Sequence, residues 1–156
     1  MSARPILYSF RRCPYAMRAR MTLLYAGIEV RLREVILKDK PAAMLAASSK
    51  GTVPVLVQSD GTVIDESRDI MRWALNQNDP AGWLECADGL NLLVDRCDNE
   101  FKHWLDRYKY AVRFPEHDEG WYRQQGEQFL AQLEVRLSKW HYLTGASLSV
   151  IDVAIA

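Results

Sequence analysis

The chain has 156 residues, with 20 Lys and Arg against 20 Asp and Glu, and its 49% hydrophobic and 26% charged composition is that of an ordinary globular protein. The charge is uneven: residues 1–80 carry 12 basic and 8 acidic side chains, and residues 81–156 carry 8 and 12, giving a net of +4 followed by −4. That excess suits a small anionic ligand and is too dispersed for a nucleic-acid face. No apolar run reaches the roughly 18 to 20 residues of a membrane span, so neither nucleic acid nor a membrane is expected as a partner.

The N-terminal stretch MSARPILYSF has no secretory apolar core and runs directly into a strand pattern. Three cysteines, Cys13, Cys86 and Cys97, cannot all pair within the chain. Both features lead to the expectation of a reducing, cytoplasmic setting.

Residues 5–10 (PILYSF) read as a short apolar strand. Residues 14–27 place Ala16, Ala19, Leu23 and Ala26 at helical spacing and end on Gly27, a residue suited to helix termination. Alternation over 29–37 predicts a second strand, and 41–48 a short helix opened by Pro41. Two further strands, 53–58 and 62–66, flank Asp60-Gly61, which signals a two-residue hairpin. Ser67, a good N-cap residue, opens a helix over 67–76 with Ile70, Trp73 and Ala74 on one face. The order is βαβαββα, and the polar stretch 76–83 reads as a linker.

Beyond it the strand signal stops. Residues 84–112 place Leu84, Ala87, Leu90, Val94, Cys97, Phe101, Trp104, Leu105, Tyr108 and Val112 near a 3.6-residue period, which predicts one long helix. Residues 118–140 repeat the pattern through Trp121, Phe129, Leu130, Leu133, Leu137 and Trp140. Ser149 and Asp152 have the spacing of a capping box ahead of a last apolar helix. That helix would need more partners than the remaining residues supply, so the chain is expected to be a piece of a longer one. The sequence thus divides into an α/β domain, 1–78, and an all-helical domain, 79–156.

The chemistry concentrates at Cys13. If the first helix begins at Pro14, Cys13 is its N-cap, where helix N–H groups and the nearby Arg11 and Arg12 favour the thiolate. The alternative is a buried cysteine used as a small hydrophobe. A CxxC redox pair would require cysteine at position 16, which is Ala16, so a reactive Cys13 must be resolved by an external thiol.

CPYA after a strand, LKDKP, KGTVPVL, DES and the terminal LSVIDVAIA, in this order, resemble the glutathione transferase superfamily, in particular its cysteine-type, omega-like members. The resemblance covers essentially the whole chain and implies a thioredoxin-like domain followed by an all-helical domain. It implies glutathione as cosubstrate, no metal, and a homodimer. Cys13 matches the residue that forms a mixed disulfide with glutathione. Pro54 matches a cis-proline, with the Val53 backbone pairing with the cysteinyl unit. Glu66 and Ser67 match the pair holding the γ-glutamyl end, and Lys40 the lysine reaching the glycyl carboxylate, with Lys50 a second candidate. Trp104 and Tyr108 fall where the pocket for a second substrate is built.

Each assignment has a structural alternative: a cap for Ser67, a solvated turn for Glu66, an exposed charge for Lys40, a trans bond at a strand edge for Pro54, and core packing for Trp104 and Tyr108. The implied activity is glutathione-dependent thiol transfer or reduction, acting on a small disulfide or electrophile. Conjugation through a hydroxyl such as Ser9 or Tyr15 is the enzymatic rival, and a partner-binding protein retaining the fold is the non-enzymatic one.

Overall fold

The computed structural model describes residues 4–85 and 91–156, which form two compact units divided between Gly82 and Trp83. The first unit has the expected order: β1 (Ile6–Ser9), α1 (Pro14–Tyr25), β2 (Arg31–Glu34), α2 (Ala42–Ala47), β3 (Val55–Val57), β4 (Val63–Ile64) and α3 (Ser67–Gln77). The sheet runs β2-β1-β3-β4, with β1 parallel to β2 and antiparallel to β3, and β3 antiparallel to β4. This is the thioredoxin-like arrangement.

Alternation along the two central strands divides the core. Leu7 and Leu56 face α1 and α3, where they pack with Ala19, Leu23, Ile70 and Ala74; Tyr8 and Val55 lie on the opposite face with Val35 and Met44 of the α2 side. α1 ends at Ala26, and Gly27 follows at φ +69°, a left-handed conformation that any Cβ would disfavour.

Several local readings are corrected. The hairpin is not a two-residue loop: Gln58 N–H donates to the Thr62 carbonyl and Gly61 N–H to the Gln58 carbonyl, leaving Ser59, Asp60 and Gly61 as a three-residue loop. Gly61, at φ +87°, supplies its left-handed residue. β2 is shorter than predicted and exposed at all four positions, because it is an edge strand paired only with β1. Pro41 is the cap before α2 rather than its first residue. The stretch read as a linker is fastened to α1: Tyr25 Oη donates to Asp79 at 2.8 Å and accepts from Ala81 N–H at 2.6 Å, and Asn78 Nδ2 donates to the Ala26 carbonyl.

The second unit is helical: α4 (Asn91–Arg96), a π-helical turn (Cys97–Phe101), α5 (Lys102–Lys109), a 3₁₀ turn (Ala111–Arg113), α6 (Glu119–Leu137) and α7 (Val150–Ile155). The single helix predicted over 84–112 is therefore wrong in regularity. The π turn inserts an extra residue per turn and rotates α5 relative to a continuous α pattern. Leu84 precedes the helix, while Cys86, Ala87 and Leu90 lie outside the described residues.

Tyr122 and Phe129 are buried on α6, and Phe129 stacks on Phe101 at 5.4 Å. Leu130, Leu137 and Trp140 were expected on that same face and are instead exposed. α6 ends at Leu137, so Trp140 lies beyond its last turn. The Ser149–Asp152 capping box is present as predicted.

Candidate functional site

The site is built where β1 runs into α1. Met17 N–H donates to the Cys13 carbonyl at 2.8 Å, and Pro14 occupies the first helical position, so Cys13 is the N-cap. The thiol is part-buried and makes no bond to the helix N–H groups, contrary to the sulfur orientation expected from sequence. It points across to the next segment, where Cys13 Sγ donates to the Val53 carbonyl at 3.8 Å. The Val53–Pro54 bond is cis. Two residues 40 apart in sequence thus meet, one offering sulfur and the other a backbone carbonyl.

The arginines are held in different ways. Arg20 donates to Ser9 Oγ at 2.6 Å and to the Phe10 and Arg11 carbonyls, bracing the strand-to-helix turn. The Arg12 guanidinium lies 5.7 Å from the Phe10 ring centre. Ser9 is fully buried, and its hydroxyl oxygen accepts from Arg20.

The second half of the site is the turn from β4 into α3. Glu66, not Ser67, is the N-cap of α3, and its side chain caps nothing. Ser67 is the first helical residue, buried to 4% exposure, and its hydroxyl accepts from Arg18 Nε at 3.0 Å. The Glu66 carboxylate faces Lys50 at 2.5 Å, and Lys50 also reaches Asp65 at 3.0 Å. The pair is exposed on both sides, and such pairs contribute little to stability, so a competing ammonium displaces Lys50 from Glu66 at small cost. Lys40 is exposed and has no ion-pair partner among the described residues, and its Nζ lies beside Gly51.

The Ser48 hydroxyl, donating at 2.7 Å, and the Lys50 ammonium hold the Asp65 carboxyl below its ordinary value of 3.8. The folded state therefore favours the carboxylate. This contribution is complete above 3.8 and is lost as pH falls through the lower folded value. Asp65→Asn is expected to flatten the loss of stability of the N-terminal unit as the pH is lowered through and below 3.8, measured by denaturant titration at each pH. An unchanged acid limb contradicts this.

In the helical unit, Trp104 and Tyr108 are half-buried and line a concavity of about 280 Å³ with Phe101, Leu105, Tyr122 and Leu130. Trp104 also meets Trp121 edge-on at 5.6 Å, so it serves packing and the concavity together. Arg18 was missed as a site residue. Its signal was a charged residue beside Ala19 on the face that α1 buries, a position where a guanidinium needs a specific partner.

Residues 7–82 match the family described as Glutathione S-transferase, N-terminal domain. Glutathione S-transferase omega-1 of Mus musculus is 39% identical over 61 residues, 39% of this chain and 25% of that protein. The omega-1 protein of Sus scrofa is 29% identical over 153 residues, 96% of this chain and 63% of that protein. The chain thus spans less than two thirds of the length of these curated relatives. In fold it is similar to glutathione transferase Omega 3C from Trametes versicolor, with a TM-score of 0.82 at 21% identity over 99% of this chain and 71% of that one. With a thioredoxin-like sheet, a cysteine at the N-cap position of α1 and the family match over the same unit, residues 7–82 are a glutathione S-transferase N-terminal domain, and the chain is similar to omega-type members of that superfamily.

Proposed function

We propose that this chain is a glutathione transferase that performs thiol transfer through a mixed disulfide on Cys13. The observation carrying the reading is the meeting of the Cys13 thiol with the Val53 carbonyl at the head of α1. A peptide thiol laid along Val53 as an added strand would bring its sulfur to Cys13. In the first step the Cys13 thiolate attacks the glutathionyl sulfur of a mixed disulfide, forming Cys13–S–SG and releasing the other thiol as thiolate. In the second, a glutathione thiolate attacks the Cys13-bound adduct, yielding glutathione disulfide and regenerating the Cys13 thiolate. Ala16 offers no internal thiol, which is why the second step takes an external one.

Recognition of the γ-glutamyl end falls to Glu66 for the ammonium and to Ser67 with the start of α3 for the carboxylate. Lys40 is assigned to the glycyl carboxylate. The second substrate is a small disulfide or electrophile, with Trp104 and Tyr108 as its apolar contacts. Assembly as a homodimer and a cytoplasmic setting belong to the same proposal.

Glu66→Gln keeps the shape and removes the charge that pairs with an ammonium. Glutathione affinity, measured by calorimetric titration, is expected to fall about tenfold, the scale of one charge-assisted hydrogen bond. Unchanged affinity in a folded variant rejects the assignment of Glu66.

A further inference from the structure

We propose that Arg18 is a positioning residue for the carboxylate seat at α3: it fixes the Ser67 hydroxyl so that its proton is presented to the ligand. This rests on the reading of Ser67 as the contact for the γ-glutamyl carboxylate and adds to it a residue from a different element.

Arg18 lies on α1, five residues after Cys13, and is 4% exposed. Its Nε–H donates to Ser67 Oγ at 3.0 Å across 49 residues of sequence, at the point where α1 packs on α3. A serine hydroxyl has two lone pairs and one proton. With one lone pair taken by Arg18, the proton is directed away from the guanidinium. Among the described residues the Ser67 hydroxyl donates to no acceptor, although the side chain is buried. A buried O–H with its acceptor side fixed is a donor waiting for an oxygen.

Three further features suit this role. The guanidinium lies 5.0 Å from the centre of the Tyr15 ring, which limits its rotation. The group is planar and permanently charged, so its donor direction is set by the fork rather than by a rotating ammonium. Its charge stands behind the first turn of α3, whose N-cap Glu66 makes no side-chain bond to the helix N–H groups. Positive charge, an oriented hydroxyl and the positive end of an 11-residue helix therefore converge at one place.

A simpler role would be adhesion between α1 and α3, and the test must separate the two. The full chain is titrated with reduced glutathione and with its analogue in which the γ-glutamyl α-carboxylate is an amide, using Arg18→Gln, Ser67→Ala and the double variant. The expected result is a loss of about tenfold in glutathione affinity for each single variant, with no further loss in the double. The amide analogue should bind the parent and Arg18→Gln with the same affinity. If Arg18→Gln does not fold, Arg18→Lys carries the same cycle, with an expected loss of roughly threefold on glutathione alone.

Additive losses in the double variant, or equal losses on glutathione and on the amide, assign Arg18 to packing and overturn the proposal. Full affinity in Arg18→Gln overturns it as well, leaving the seat itself intact. Full affinity in Ser67→Ala overturns the carboxylate reading of Ser67, and the role of Arg18 falls with it.

Discussion

Cys13→Ala is expected to lower the glutathione-dependent reduction of a small mixed disulfide to the uncatalysed rate. The reason is chemical rather than structural. Two sulfur–sulfur exchanges are needed, and the first requires a protein thiolate that leaves again in the second. Alanine retains the helix start, because Pro14 and the Cys13 backbone carbonyl set α1 while the thiol caps nothing. Stability should change little, so lost turnover will not reflect lost fold. Glutathione binding should survive, since Glu66, Ser67 and the Val53 backbone are untouched. The assay couples glutathione disulfide formation to its reductase. The conjugating alternative makes the opposite forecast: Cys13→Ala retains or gains activity on an electrophile. Residual thiol transfer near the parent rate would remove Cys13 from the mechanism.

The largest effect on stability is expected at Asp152. Its carboxylate accepts Leu143 N–H at 2.7 Å through one oxygen, and Ser149 N–H at 3.0 Å and Ser149 Oγ–H at 2.8 Å through the other. Ser149 and Leu143 are both buried, so Asp152→Ala leaves donors without acceptors in a dry environment. Loss of the cap costs about 1 kcal/mol and an orphaned buried N–H about 1 to 3 more, giving roughly 2 to 4 kcal/mol. For a unit of this size that is a fall in Tm of about 8 to 30 °C. Four of the five tryptophans, Trp83, Trp104, Trp121 and Trp140, lie in the helical unit and Trp73 in the first, so tryptophan fluorescence follows mainly the transition of the helical unit. Asp152→Asn, which keeps one acceptor oxygen, should fall between the two. A shift below about 3 °C for Asp152→Ala contradicts this account of the cap.

The parts of the structure legible in sequence share a physical property: their signal is local. Pro14 after Cys13, Gly27 after Ala26, and Ser149 three residues before Asp152 declare helix ends through backbone rules acting over a few residues. Alternation through Leu7, Tyr8, Val55 and Leu56 declares two-faced strands in the same way. What could not be read is non-local or depends on small shifts of geometry. Asp60-Gly61 signals a tight turn, yet whether the loop has two or three residues depends on the partner of Gln58. The π turn at Cys97–Phe101 leaves the apolar spacing nearly helical, so periodicity does not reveal it.

The candidate site divides along the same line. Cys13 stands out because its neighbours announce a strand, a cap and a helix. The bond from Arg18 to Ser67 joins residues with no pattern between them, and only the packing of α1 on α3 brings them together. Tyr25 makes the same point for the stretch called a linker: Asp79 and Ala81 lie in a loop-like stretch of sequence, but one phenol holds the carboxylate of the first and the backbone N–H of the second.

The most direct test of the central claim is peptide mapping by mass spectrometry after brief exposure of the folded chain to oxidised glutathione. The account predicts one glutathione per chain, carried on Cys13, persisting until an external thiol is added because Ala16 cannot resolve it. Cys97 is buried to 2% exposure and should remain unmodified. An adduct on Cys97 or Cys86 formed as fast as on Cys13, or no adduct on Cys13, would contradict the assignment of Cys13 as the thiol that exchanges with glutathione.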